Sequence, residues 1–193
     1  MPEWYLRGAA MVSTKYAPDY RLENVVDPAT GKLRTVPVYR GPLFSFSRER
    51  ETVARMKRLY PILTGLSVLV YALLLTTNTA AGRTMYVMLP FAGLCFPLLY
   101  AVLGCRRLLT AKAQVTREHR DKIEHRLAGS AAAMLALAGI SFAGFCVYAI
   151  LRGAQGQDFL LAAGTAVIFC CGLIMFRLRK NLCMEQTGTT AKE

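Results

Sequence analysis

The residues of this chain whose types and spacing could support chemistry in water lie in one charged linker. Within residues 116–126 stand Glu118, Asp121 and His125. On a helix, positions 121 and 125 lie one turn apart and position 118 lies one turn further back, so the three side chains share a face. Carboxylates and imidazole are the groups that enzymes use for general acid–base catalysis. This face is one candidate site, and a solvated charged helix surface is the plain alternative.

Metal, redox and phosphate chemistry have less support in the sequence. The two histidines, His119 and His125, are six residues apart and would face different ways on a helix. Cys170 and Cys171 are adjacent and do not form the spaced pair of a thiol oxidoreductase. The sequence contains no phosphate loop, nucleophile elbow or HExxH motif. We therefore assign no catalytic residue, no cofactor and no metal site, and we expect free thiols.

Four long windows without Asp, Glu, Lys, Arg or His separate the charged segments. They cover residues 59–82, 84–105, 127–151 and 159–176 and are 24, 22, 25 and 18 residues long. A helix needs about 20 apolar residues to cross a bilayer core about 30 Å thick. Backbone N–H and C=O groups that are unpaired find no hydrogen-bond partner in lipid, so the spanning form must be a helix. The sequence thus predicts an all-α integral membrane protein with four transmembrane helices. This composition excludes a conventional soluble enzyme, a disordered tail and a disulfide-stapled secreted domain.

The positive residues indicate the orientation. The 193-residue chain has 24 Lys and Arg against 12 Asp and Glu, a net charge of +12. Only Arg83 and Arg152 lie in the two short connections, and the other 22 lie before the first window, in the linker 106–126 or after the last window. Because Lys and Arg are enriched in cytoplasmic loops, we expect both termini and the linker in the cytoplasm of a bacterial cell. The spans would form two α-hairpins in its inner (plasma) membrane.

The segments outside the spans have some structure of their own. Residues 1–58 form a cytoplasmic segment in which 22–39 reads as a β-hairpin, with a turn at 27–31 whose Pro and Gly suit tight turns. Pro37 limits its second arm to an edge strand. A helix is expected from Ser47, as N-cap, into the first span. The transmembrane domain covers 59–181, and 182–193 form a cytoplasmic tail.

The third span is rich in small residues. Ala128, Ala132 and Ala136 are spaced four apart, and so are Gly139 and Ala143. Such spacing lets helix backbones approach closely in a membrane. Packing inside the bundle is the plain interpretation, and an interface with a second copy or another membrane protein is the sharper one.

Cations crowd the expected cytoplasmic ends of the spans and form what we call the basic collar. Each cation near an anionic leaflet contributes about 1 kcal/mol of attraction, so lipid headgroups are the expected partner. We find no nucleic-acid recognition motif and expect no nucleic acid as partner. The collar consists of Arg48, Arg50, Arg55, Lys57, Arg58, Arg106, Arg107, Lys112, Arg177, Arg179 and Lys180.

Three functions remain open on this evidence. The first is a non-catalytic subunit or accessory protein of a membrane complex, docked through the third span and the aromatic N-terminal segment. The second is a small oligomeric transporter or channel, although no ionisable residue lies inside a span, which counts against a proton relay or a charged filter. Pro90 and Pro97, seven residues apart, are expected to bend the second span, and in a transporter this bent span and the hydroxyls of the spans would line the site. The third is a membrane enzyme that uses Glu118, Asp121 and His125.

Overall fold

A computed structural model describes residues 14–26, 33–48, 50–111, 114–182 and 184–187. The elements follow the chain in the order β1, β2, β3, α1, α2, α3, β4, α4, α5, β5, with short 3₁₀ turns between some of them. The helices are α1 (Arg50–Thr76), α2 (Met85–Gly93), α3 (Cys95–Thr110), α4 (Arg117–Arg152) and α5 (Gly156–Leu178). The strands are β1 (Tyr20–Val26), β2 (Leu33–Tyr39), β3 (Leu43–Phe46), β4 (Gln114–Thr116) and β5 (Met184–Thr187).

The described part of the chain has four helical stretches long and apolar enough to cross a membrane. They are Glu51–Thr76, Met85–Thr110, Arg117–Arg152 and Gly156–Leu178, of 26, 26, 36 and 23 residues. Each contains one of the four uncharged windows for most of its length. The mainly helical fold with four spanning-length helices is therefore as predicted.

The second of these stretches is interrupted at Leu94, between α2 and α3. There the N–H of Leu94 bonds the carbonyl of Phe91, three residues back, at 3.1 Å. Pro97 has no N–H to donate to the carbonyl of Gly93 and its ring crowds the preceding turn, so a regular α-helix cannot run through this point. Pro90 and Pro97 thus flank a break in the helix.

Both ends of α1 differ from the sequence expectation. The helix begins at Arg50, and the hydroxyl of Ser47, the predicted N-cap, donates to Glu185 Oε1 of β5 at 2.6 Å. It ends at Thr76, before the uncharged window does. The hydroxyls of Thr76 and Thr77 donate to the carbonyls of Leu73 and Leu74, both at 2.7 Å, and satisfy the last turn. The uncharged window therefore extends beyond the helix. The helix itself ends where the threonine hydroxyls bond its last carbonyl groups.

The helices form a bundle in which each neighbours two others. α1 packs on α3 and α5, and α4 packs on α5 and on both parts of the broken helix. Neighbours run antiparallel, as Tyr60 near the start of α1 shows by donating its hydroxyl to the carbonyl of Met175 near the end of α5, at 2.9 Å. The core between the helices is filled with fully buried side chains: Tyr60, Leu94, Leu108, Ile123, Leu127, Met134, Ile168 and Met175.

A three-stranded antiparallel sheet closes one end of the bundle, and we call this the sheet end. Its order is β4–β3–β5, with Phe44 opposite both Val115 and Gln186. Phe44, Val115 and Met184 are buried against the core. Because β3 precedes α1, β4 precedes α4 and β5 follows α5, the three charge-rich segments of the chain meet here. None of these three strands was predicted from the sequence, since strands of three or four residues are too short to show a period.

The predicted N-terminal hairpin is present as a two-stranded ribbon. β1 and β2 pair antiparallel from Tyr20 opposite Tyr39 to Val26 opposite Leu33. The rings of Tyr20 and Tyr39 meet edge to face at the base, with centroids 5.2 Å apart. The predicted turn at 27–31 lies outside the described residues.

Candidate functional site

The linker carboxylates lie where α4 receives the N-terminal segment. Thr116 caps this helix by accepting from the N–H of His119 at 3.4 Å. One turn into the helix, Asp121 Oδ2 accepts from Lys15 Nζ at 2.8 Å and from the buried Tyr16 hydroxyl at 3.0 Å. Asp121 therefore holds the 3₁₀ turn Thr14–Asp19 against α4.

Glu118 anchors the base of the ribbon in the same way. Its Oε2 accepts from the hydroxyl of Tyr20 at 3.4 Å, and its other oxygen pairs with Lys122 one turn on. Beside it, the N–H of Arg117 donates to the hydroxyl of Tyr39 at 3.1 Å, and that hydroxyl donates to the carbonyl of Pro42 at 2.8 Å. The aromatic residues of the N-terminal segment are thus in contact with the chain's own α4.

The electrostatics of Asp121 suit an anchor. Burial raises the pKa of Asp121, but the hydrogen bonds from Lys15 and Tyr16 and the charges of Lys15 and Arg120 lower it by more, so the net shift is downward. Desolvation raises the pKa of Tyr16, and the bond to Asp121 raises it further. At neutral pH the carboxylate is therefore ionised and the phenol protonated, each in the state that favours their hydrogen bond.

Neither histidine makes an ion pair with these carboxylates in the described part of the chain. His125 is exposed, one turn beyond Asp121. Partial burial lowers the pKa of His119, and the positive charge of Arg107 lowers it further. Among the described residues, no group of three or more His, Cys, Asp or Glu side chains could hold a metal ion. The predicted trio is thus brought together on one helix, with two of its members engaged in holding the N-terminal segment.

The small residues of α4 are divided between two faces. Ala131 and Ala138 face the core and are fully buried. Gly129, Ala132, Ala136 and Ala143 are exposed on the outward side. Of the predicted spacings, Ala132 and Ala136 lie outward, whereas Ala128 is half-buried and Gly139 packs near the ring of Phe169 of α5.

The outward positions 129, 132 and 136 form what we call the α4 groove. They lie three and four residues apart, so they follow one line along the helix. A Cβ added to Gly129 would have no atom within 4 Å. Further along the same helix, Ile140 and Ile150 are exposed and bulky. The groove is therefore confined to the half of the spanning helix nearer the sheet end.

The basic collar rings the sheet end. Arg55 and Arg58 of α1, Arg106 of α3 and Arg177 of α5 are exposed. Lys57 instead bridges two helices, because its Nζ donates to the carbonyl of Ala111 at 2.7 Å, and Arg179 stacks on Phe176 at 3.9 Å. Lys112 lies outside the described residues, as does the side chain of Arg50.

The opposite end, which we call the turn end, carries one buried acid that sequence analysis did not single out. Asp158 lies in the first turn of α5 and is 1% exposed. Its Oδ1 accepts from the N–H of Ala81 at 2.9 Å and its Oδ2 from the N–H of Gln155 at 3.0 Å. It therefore joins the α1–α2 connection to the α4–α5 connection. An acid three residues after a polar turn, just before an apolar run, is the sequence signal that could have identified it.

Comparison with protein-family models, with curated proteins and with solved structures found no match to this chain.

Proposed function

We propose that the chain is an integral protein of a bacterial inner membrane that crosses it four times, with the sheet end in the cytoplasm. The outward faces of the four long helices carry many exposed large apolar side chains, among them Ile62, Leu69, Leu89, Phe96 and Ile150. A water-soluble protein would bury such side chains, and lipid accommodates them. The pairing of β3 with β4 and β5 collects at one end the three segments that hold 22 of the 24 cations, which favours that end as cytoplasmic.

Within that membrane the chain is a non-catalytic subunit or accessory protein of a larger complex, docked through the α4 groove. The observation that carries this proposal is the outward exposure of Gly129, Ala132 and Ala136 in a spanning helix. Small residues contribute little to contact with lipid but allow a second helix backbone to come close, where packing and weak hydrogen bonds hold the pair. The groove therefore fits a transmembrane helix of another protein.

The interior of the bundle favours this role over transport through a single chain. Tyr60, Leu108, Leu127 and Met175 fill the core toward the sheet end and are at most 1% exposed. Beyond them Phe44 of β3 lies across the same end. A conducting path along the axis would have to displace these side chains.

Co-purification tests the proposal. The full chain is extracted with a mild detergent, and a stoichiometric membrane protein is expected to remain bound. The double variant Ala132→Leu/Ala136→Leu fills the groove and should reduce the bound partner at least tenfold. The matched controls Ala72→Leu and Ala163→Leu place the same side chain at exposed alanines of α1 and α5 and should retain it.

Two results would contradict the proposal. A monodisperse monomer without a partner, under conditions that keep other membrane complexes intact, would remove its basis. A dimer of this chain alone that the groove variant dissociates would assign the groove to self-association instead.

A further inference from the structure

We propose that the basic collar binds the phosphate groups of anionic phospholipids, held on Arg58, Arg106 and Arg177 of three different helices. This proposal rests on the membrane placement proposed above but not on the α4 groove.

These three cations have no acidic partner among the described residues. The ion pairs among the described residues join Lys15 to Asp121, Arg40 to Glu23, Arg120 to Glu124 and Lys122 to Glu118. All four lie in the N-terminal segment or in the first turns of α4. Arg58, Arg106 and Arg177 are exposed, and their guanidinium groups make no ion pair or hydrogen bond with any described residue. Their charge is available to an anion from outside.

Each of these cations has an exposed, large apolar residue beside it on the same helix face. Ile62 is four residues from Arg58 and 63% exposed, Leu103 is three residues from Arg106 and 45% exposed, and Ile174 is three residues from Arg177 and 46% exposed. Residues three or four apart on a helix are neighbours. In each pair the apolar residue lies nearer the middle of the bundle than the arginine does.

An amphipathic ligand matches this arrangement. A phospholipid offers a phosphate at the level of the arginine and acyl chains at the level of the apolar residue one turn further in. A free phosphate ion would make no use of the apolar neighbour, and guanidinium groups suit phosphate oxygens through paired N–H donors. Charge and polarity together therefore favour lipid over a soluble anion.

The experiment uses the purified full chain and native mass spectrometry of lipid-bound species. Dioleoyl phosphatidylglycerol and dioleoyl phosphatidylcholine are offered in equal amounts, and the anionic lipid should be retained preferentially. Since each cation is expected to contribute about fivefold to anionic-lipid binding, Arg58→Gln/Arg106→Gln/Arg177→Gln should weaken retention of the anionic lipid about hundredfold. The variant with Lys at the same three positions preserves the charge and should retain most of the anionic lipid.

Two matched controls locate the effect. Arg152→Gln removes an exposed cation at the turn end, and Arg117→Gln removes one at the start of α4, about 15 Å before the uncharged window by helix rise. Both should stay within twofold of the wild type. Equal retention of the two lipids, or the same loss in either control as in the triple variant, would overturn the proposal. Displacement of the lipid by inorganic phosphate at matched ionic strength would show a soluble anion site and would also overturn it.

The outcome is separable from that of the proposed function. The measurement uses the chain without any partner, and Ala132→Leu/Ala136→Leu should leave lipid retention unchanged. Loss of partner with lipid binding intact would therefore concern the groove alone, and the reverse result would concern the collar alone.

Discussion

At the scale of single residues, the clearest constraint is the close approach of α4 to the broken second span. A Cβ on Gly144 would lie 2.9 Å from the carbonyl oxygen of Tyr86. Pro90 cannot donate to that carbonyl, because it has no N–H, so the regular helical partner of Tyr86 is missing. Nearby, Ser141 donates its hydroxyl to the carbonyl of Val87 at 3.4 Å. Glycine thus allows a close backbone contact at the point where a proline has removed the regular helical donor to a carbonyl.

This contact predicts the effect of adding one methyl group. Gly144→Ala should lower the free energy of unfolding by about 1–3 kcal/mol, because the backbone of α2 must shift to admit the Cβ. Gly129→Ala is the matched control: it lies on the same helix in open space and should be neutral or stabilising by up to about 1 kcal/mol. Titration with a denaturing detergent, followed by circular dichroism, measures both. Equal stability of the two variants would contradict the role of Gly144.

Residue identity alone predicted the bend in the second long apolar helix but not its close contact with α4. Pro90 and Pro97 indicated a bend from their chemistry, because a missing N–H is a local property. Gly144 was one of many small residues in its span, and its role depends on which atom faces it across the helix pair. The same holds for Asp158, whose partner Ala81 lies 77 residues away.

At the scale of elements, the N-terminal segment is tied to α4 by ionisable groups and its docking should depend on pH. The folded pKa of Asp121 is lowered, so its contribution is present above its unfolded pKa of about 3.9 and is lost as the pH falls through the folded value. The pKa of Lys15 is raised, so its contribution is present below its unfolded pKa of about 10.4 and is lost as the pH rises through the folded value. Docking should therefore be constant between about pH 5 and 9.

Hydrogen exchange of residues 14–20 tests this prediction, once corrected for the intrinsic effect of pH on exchange. Protection should begin to fall below about pH 4, near the unfolded pKa of Asp121, and should be lost as the pH falls through its lower folded pKa. Asp121→Asn should weaken protection at neutral pH and remove most of the acid step. His125→Ala, one turn further along the same helix and exposed, should behave like the wild type. An acid step that survives in Asp121→Asn would show that another group governs docking.

The elements differ in how far the sequence predicted them. The ribbon β1–β2 was predicted from a local signal, namely the Pro and Gly of its turn. The strands β3, β4 and β5 were not predicted, because they exist through pairing with one another across long stretches of chain. Glu118 and Asp121 were correctly placed on one face, but their partners Tyr20 and Tyr16 are about a hundred residues away.

At the scale of the whole molecule, the sheet makes the proposed topology testable, since β5 and the first turn of α5 lie at opposite ends. Gln186→Cys and Gln157→Cys both place an exposed cysteine, in a background where the native cysteines are replaced by serine. A membrane-impermeant maleimide added to spheroplasts should label Gln157→Cys at once and Gln186→Cys only after permeabilisation. The opposite order would invert the orientation, and labelling of both in intact spheroplasts would contradict a cytoplasmic sheet end.

The amino-acid sequence by itself determined the number of long apolar helices, because the alternation of charged and uncharged stretches is a property of the chain that needs no contact. It also assigned nearly all cations to the same set of segments. The tertiary structure alone decided that these segments meet in one sheet, that the linker carboxylates hold the N-terminal segment, and that part of the small-residue pattern of α4 faces outward. Spacing along a helix indicates that a face exists, whereas the neighbouring helices decide whether that face is covered.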